Sequence, residues 1–384
     1  MDLTPIFDAP TKQELHARIA RLQEKMIERR LDWYVSVQPD NVYYLTNFAN
    51  FIHERPFVLL IPAQGIPHFV APKLEIPHIR SRVVGEIELV EYFEFPAPEG
   101  RQWSDRMKSV LGASDRVGVE SVCPLQIYDE IGAERVRADL VDDLRLIKSA
   151  YEVGRMVYSA GIANAALQDF LAKVKVGRSL SEIMAAGKSL MMGMLTKDNP
   201  NINPFATRAD VLFQPARYSD DPHNFSDLAM CIEDGGPNVT IVNAVLNGYG
   251  AEVERTFFVG LVPEAAKRPY EVMMLARRLA FDMARPGTPM CDLDRAVNDL
   301  FEANGYADNL LHRTGHGMGV TGHEAPFLAE GDTRLLEPGM SVTIEPGVYL
   351  PGVGGFRHSD TILITQDGSV SLTSGPDTVE ALTL

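Results

Sequence analysis

Cysteine is scarce in this chain. Only three of its 384 residues are Cys, and Cys123, Cys231 and Cys291 stand singly, with no Cys-x-x-Cys pair. That excludes a disulfide framework and suits a reducing, cytoplasmic setting. Basic charge is also short. Against 52 Asp and Glu there are 36 Lys and Arg, a net charge of −16. Nucleic acid and anionic membrane both demand a basic face, so neither is an expected partner. Long hydrophobic runs are missing. Stretches such as 57–62 (FVLLIP) fall far short of the roughly 20 residues of a membrane span, and the opening residues MDLTPIFDAPTKQELH hold no apolar leader core. Repeats, low-complexity tracts and an acidic tail are absent too, so the excess negative charge reads as a solvated surface.

What is present is an ordinary globular composition, 45% hydrophobic and 23% charged, in a chain long enough for two or three domains at roughly 100–200 residues each. Residues 11–30 form an amphipathic helix pattern, with Thr11 as N-cap and Glu14 completing a capping box. Short apolar runs at 33–37, 57–62, 68–71, 87–93 and 117–120 alternate with helical stretches at 72–84, 101–112 and 125–136. This predicts an α/β domain over residues 1–145. The segment DDLRLIKSAYEV (142–153) reads as a junction. Beyond it, residues 146–384 carry helices over 150–175, 180–195, 266–284 and 290–304, a hairpin over 239–260 turning near Asn247-Gly248, and a strand-rich, glycine-rich end.

Chemistry concentrates in that second domain. Five of the nine histidines, His223, His312, His316, His323 and His358, lie there. Three of them fall within HRTGHGMGVTGH (312–323), among glycines that permit close backbone approach. Clustered titratable groups in such a setting point to a site rather than to packing. In AEVERTFFVG (251–260), period-two alternation puts Glu252 and Glu254 on one side of a strand. Neighbouring carboxylates need a cation between them: a metal, a histidine, an arginine or a cationic substrate. In EPGMSVTIEPGVYLPGVGGFRHSD (337–360), Glu345 closes an apolar strand and His358 follows a Gly-Gly turn.

These segments, in this order, resemble the creatinase/aminopeptidase P/prolidase superfamily. The resemblance covers most of the chain and rests on LRLIKSAYEV, PHN (222–224), NGYGAEVERTF, GHGMGVTGHE and LEPGMSVTIEPGVY. It implies an α/β N-terminal domain followed by an α+β catalytic domain of the pita-bread fold. The metallopeptidase members of the superfamily hold two divalent ions with Asp, Asp, His, Glu and Glu. Carried over position by position, the first Asp falls on Asn243, the second on Glu252, the His on His316, the first Glu on Glu345 and the last Glu on Ser359, with His358 beside it. Asn and Ser supply no anionic ligand.

Other features resemble the metal-free creatinases: the Glu254-Arg255-Thr256 triplet, Pro222-His223-Asn224, and NFANFIHERPFVLL (47–60), where Arg55 matches an arginine that reaches a neighbouring subunit's site. This branch of the resemblance implies a metal-independent hydrolase, without cofactor, that cleaves a C–N bond in a small zwitterionic guanidino or amidino metabolite. His223 acts as acid and base, and Glu254 and Glu345 hold the cationic group. Arg55, Glu252, His316, His323 and His358 bind substrate in a homodimer. Glu254 is alternatively a nucleophile. One metal arrangement stays open, a single Mn, Zn or Co ion on Glu252, His316, Glu345 and His358. Two other functions compete: a divergent Xaa-Pro metallopeptidase, and a pseudoenzyme that only binds.

Overall fold

Thr11 opens the first helix, Lys12–Glu28, its hydroxyl accepting from the Glu14 N–H. Leu15, Leu22 and Met26 are buried along one face of that helix. The computed structural model describes residues 2–49, 54–113, 115–199 and 201–384. It forms two bodies: Asp8–Arg145, and Leu146–Leu384 with the residues up to Phe7. Ile6 joins the second body through its N–H to the Gly154 carbonyl, and Phe7 through its carbonyl, which accepts from Arg155. Among the described residues no helix is long and apolar enough to cross a membrane.

The first body is built on a six-stranded sheet in the order Glu88–Tyr92, His68–Pro72, Val58–Pro62, Trp33–Ser36, Arg116–Val119, Glu134–Arg137. Its core holds Val35, Leu60, Val70, Trp103, Val117 and Ile127. The helix expected over 125–136 breaks after one short turn, Leu125–Tyr128, and Glu134–Arg137 pairs in parallel with Arg116–Val119 instead. Gly132 interrupts the helical pattern, and the charged residues of ERVR suit a sheet edge, which charge protects from further pairing.

The second body carries an eight-stranded sheet. Its path runs Glu324–Leu328, Gly315–Gly317, Ser341–Ile344, Ser359–Ile364, Tyr249–Val259, Gly235–Leu246, Arg208–Gln214, with Ser369–Ser371 added beside Ser359–Ile364. A separate ribbon pairs Gly347–Leu350 with Gly354–Arg357. The long hairpin turns at Asn247 (φ 52°) and Gly248 (φ 86°), and positive φ at both central residues is what a twist-compatible two-residue turn requires. Helices Ala150–Ala172 and Leu180–Asp198 pack a core over the hairpin side of the sheet, around Leu167, Val211, Val242 and Phe257. Helices Glu264–Met283 and Met290–Ala303 pack a second core around Val342, Ile344, Ile362 and Phe356. Two α-helical layers on an antiparallel sheet make this the α+β pita-bread body; the first body is α/β.

Candidate active site

Register explains why four strands meet at one place. Glu252 pairs across the hairpin with Asn243, and Glu254 lies opposite Ser359 on the next strand. Glu252 and Glu254 are two residues apart, so both point to the front of the sheet. Glu345 follows the last residue of Ser341–Ile344, tied by its N–H to the Thr314 carbonyl. His316 sits in Gly315–Gly317, where a Cβ at position 315 would stand 2.0 Å from the Thr343 carbonyl oxygen and one at 317 2.3 Å from the Ala325 oxygen. Only glycine on both sides lets this short strand lie so close to its neighbours.

The carboxylates of Glu252, Glu254 and Glu345 bring one oxygen each within 4.8 Å of one another, and Glu252, His316 and His323 do the same with their ligand atoms. His316 is 1% exposed. Its Nδ1–H donates to the Gly317 carbonyl at 3.0 Å, so Nε2 carries a bare lone pair, a tautomer assigned from the bonding pattern. Nε2 lies 3.2 Å from Glu345 Oε1 but makes no hydrogen bond. Burial, followed by the neighbouring His323, pushes the His316 pKa down to about 3, so it does not protonate to meet the carboxylate. A lone pair turned on a carboxylate oxygen is repulsive unless a proton or a metal cation lies between them. A ring whose other nitrogen is held by a backbone carbonyl is the arrangement of a metal-ligating histidine.

One guanidinium is built into the pocket. Arg357, 4% exposed, forks onto Glu254 through Nε to Oε2 and through Nη2 to Oε1 at 3.1 Å. Its Nη1 donates to Tyr349 Oη at 2.9 Å, the Tyr349 hydroxyl donates to His312 Nε2 at 2.7 Å, and His312 Nδ1–H donates to the Arg313 carbonyl. Glu252 accepts from the Ser359 hydroxyl at 2.9 Å and Glu345 from the Thr343 hydroxyl at 3.3 Å. Burial and then the charge of Glu345 raise Glu252 to about 8. Burial also raises Glu254 and Glu345, each by its closeness to another carboxylate and against the pull of Arg357. When ionised, three carboxylates against one guanidinium leave an excess of two negative charges (3 − 1 = 2), which, on top of burial, is why their protons are held so tightly without a cation. Oxygen donors with one imidazole nitrogen suit Mn, Zn or Co, so the pocket fits a divalent cation.

Around the mouth, His323 stacks on His316 with ring centroids 3.7 Å apart. His223 lies exposed in the turn after Asp221, close enough to press on the charges of both His312 and His323. Arg313 stacks on Phe327 at 4.5 Å and holds the Gly315 carbonyl through Nε. Among the described residues it pairs with no carboxylate. The structure thus gathers His223, Glu252, Glu254, His316, His323 and Glu345.

His358 does not join them. Arg357 and Ser359 face front, so alternation turns His358 to the back. There it is fully buried beside Tyr270, 3.8 Å from Asp377 Oδ1. Neither of its expected roles, substrate contact or metal ligand, is open to it on that face. Arg55 belongs to the first body, bonded to Glu54 and Glu94. Part of its loop, residues 50–53, lies outside the described residues. Arg357, Tyr349 and Arg313 are the site residues that sequence reasoning passed over. Counting by twos back from position 359 picks out Arg357, whereas Tyr349 and Arg313 carry no pattern of their own.

The profile of Metallopeptidase family M24 matches residues 154–366, more than half of the chain, and that of the Creatinase/Prolidase N-terminal domain matches 18–149. The YkvY protein of Bacillus subtilis is 30% identical over 346 residues, 88% of this chain and 92% of that one. The Xaa-Pro dipeptidase of Pyrococcus furiosus is 26% identical over 362 residues, 93% of this chain and 97% of that one. The prolidase structure from Pyrococcus horikoshii superposes with a TM-score of 0.79 at 25% identity, covering 94% of this chain and 99% of that one. These relatives correct the leading expectation from the sequence. They bear peptidase names, and the metal-independent creatinase-like C–N hydrolase gives way to the peptidase that stood second to it.

Proposed function

The chain belongs to metallopeptidase family M24, and from that premise we propose that this hydrolase is a dipeptidase acting on Xaa-Pro bonds. The observation that carries the reading is the unprotonated, unbonded Nε2 of His316, buried against a group of carboxylates in need of a cation. Glu252, His316 and Glu345, with His323 at the mouth, would hold a divalent ion. Such an ion supplies a polarised scissile carbonyl and an acidified water. The remaining work falls to the chain's own side chains. Arg357, braced by Tyr349 and His312, fixes Glu254 in one orientation. Arg313 presents its outer guanidinium nitrogens to a substrate carboxylate, which limits the peptide to a short one. His223 and His323 flank the opening.

The test is proline release from a panel of Xaa-Pro dipeptides by chelator-stripped protein, with Mn, Co or Zn added back. Turnover that appears with metal supports the reading. No turnover with any dipeptide at any metal overturns it. The Arg313 assignment adds a sharper arm: Arg313→Ala raises KM by about tenfold or more, and a C-terminally amidated dipeptide is poor for the native protein but no worse for the variant. Loss of one charge-assisted hydrogen bond of about 1.5–3 kcal/mol sets that scale.

A further inference from the structure

We propose that the pocket takes one divalent cation per chain and not two, because Arg357 is built in as the second positive charge. The inference rests on the peptidase reading only for the use made of the ion.

Charge decides first. As the carboxylates a metal would bind, Glu252, Glu254 and Glu345 bring three negative charges, and Arg357, forked onto Glu254, returns one. One dication balances the remainder. A second would leave an excess of two positive charges in a buried pocket, with no anion left to meet it, and burying unpaired charge is prohibitive.

Donors decide next. Glu254 is the carboxylate a second ion would need, and both its oxygens are already taken by the fork of Arg357. The guanidinium cannot step aside by losing its proton, and it is anchored on its far side by Tyr349 and through it by His312. Asn243 and Ser359, the register partners of Glu252 and Glu254, are neutral. Ser359 already spends its hydroxyl on Glu252. Among the described residues, two buried atoms here stay unmet: Asn243 Oδ1, a neutral oxygen, and the Nε2 of His316, which faces Glu345 with Glu252 in reach. One face of the pocket is therefore closed by an internal cation, and the other is open to an external one.

Isothermal titration of chelator-stripped protein with manganese(II) chloride reads the stoichiometry directly, and electron paramagnetic resonance of the loaded protein reads whether the ions are isolated or exchange-coupled. The expected result is one ion per chain with the spectrum of an isolated ion. Two ions per chain of comparable affinity, a coupled spectrum, or no binding overturns the inference. His316→Ala abolishes the binding isotherm; an unchanged isotherm places the ion elsewhere and also overturns it. Arg357→Met opens Glu254 to a second, weaker ion. If that variant does not fold, the native stoichiometry still decides. The two readings separate cleanly: one ion with no peptide cleavage strikes the peptidase reading alone, and two ions with cleavage strikes this inference alone.

Discussion

The two faces of one strand pair are made from alternating residues of the same two segments, yet they are balanced differently. On the back, Arg255 and Arg277 meet Asp360, which also accepts from Thr373 at 3.0 Å, and both arginines reach Asp377. Two guanidinium groups face two carboxylates. On the front, three carboxylates face one guanidinium, and Glu345 has a single long hydrogen bond. The first body offers the same contrast: buried Glu120 accepts from Ser36, Val37, Gln38 and Asn41, all between 2.6 and 2.9 Å. Buried charge as such therefore marks nothing. A carboxylate with its donors supplied is scaffold, and one left short of cations is a site.

Breaking the back should cost the fold, and breaking the front should cost the chemistry. Asp360→Asn leaves two arginines with only the half-exposed Asp377 as a carboxylate partner and is expected to destabilise the protein by about 3 kcal/mol, read by urea unfolding at neutral pH. A loss below 1 kcal/mol would contradict the scaffold role. His316→Ala leaves stability in the metal-free state within about 1 kcal/mol but lowers peptide turnover by about a thousandfold, roughly 4 kcal/mol of barrier. A variant retaining a tenth of native turnover would remove His316 from the site.

This contrast also marks how far the sequence could be read. Period-two alternation sufficed to place Glu252 with Glu254, and glycine spacing sufficed to place His316 close to its neighbours, because both follow from backbone geometry alone. His358 failed by one residue of register: a histidine in a site-like segment draws attention, while the arginine before it holds the inward position. The ribbon Gly347–Leu350 with Gly354–Arg357 had to be seen before Tyr349 could be brought to Arg357, since that contact joins residues whose separation encodes nothing. Charge balance was hidden for the same reason. A net charge of −16 says nothing of which carboxylates are paired, and Glu120 and Glu345 differ only in the donors that folding delivers.

The faces should also part in their response to pH, by up to about 1.4 kcal/mol per pH unit for each group. On the back, burial lowers His358 from 6.5 to about 4, with Arg255 and Arg277 repelling its proton and Asp377 favouring it. The unfolded chain then binds the proton that the native one refuses, so stability falls as pH drops from 6.5 towards 4. On the front, burial and then the charge of Glu345 raise Glu252 from 4.5 to about 8, against Ser359 and Arg357, with Glu254 and His316 also close by. Here the native state keeps a proton that the unfolded chain releases, so stability falls as pH climbs from 4.5 towards 8. Thermal melting of metal-free protein should show both limbs. Added manganese should flatten the alkaline limb, and His358→Phe should make the acid limb shallower by one group, with His316 and His312 supplying the rest. A single monotonic profile would defeat the distinction.

The smallest effect carries an unusual sign. Most substitutions of a buried charged residue destabilise, but Glu345→Gln keeps the side chain's shape and removes one of three crowded negative charges. Its amide also supplies a donor where the pocket has too few. The metal-free variant should therefore be more stable than the native protein by about 0.5–1 kcal/mol, the exchange of stability for function that strained sites show. The gain should grow with pH. At pH 5 the native Glu345 already holds a proton and resembles glutamine, so the two proteins melt together. At pH 8.5 the native carboxylate ionises against Glu254 and Glu252, and the variant does not. Added divalent cation should invert the order, since only the native carboxylate then gains a partner. Paired melting curves at both pH values, with and without manganese, give four numbers whose signs are fixed in advance. A variant less stable than native at pH 8.5 without metal would show that Glu345 is a satisfied carboxylate like Glu120, and the front of the sheet would be scaffold after all.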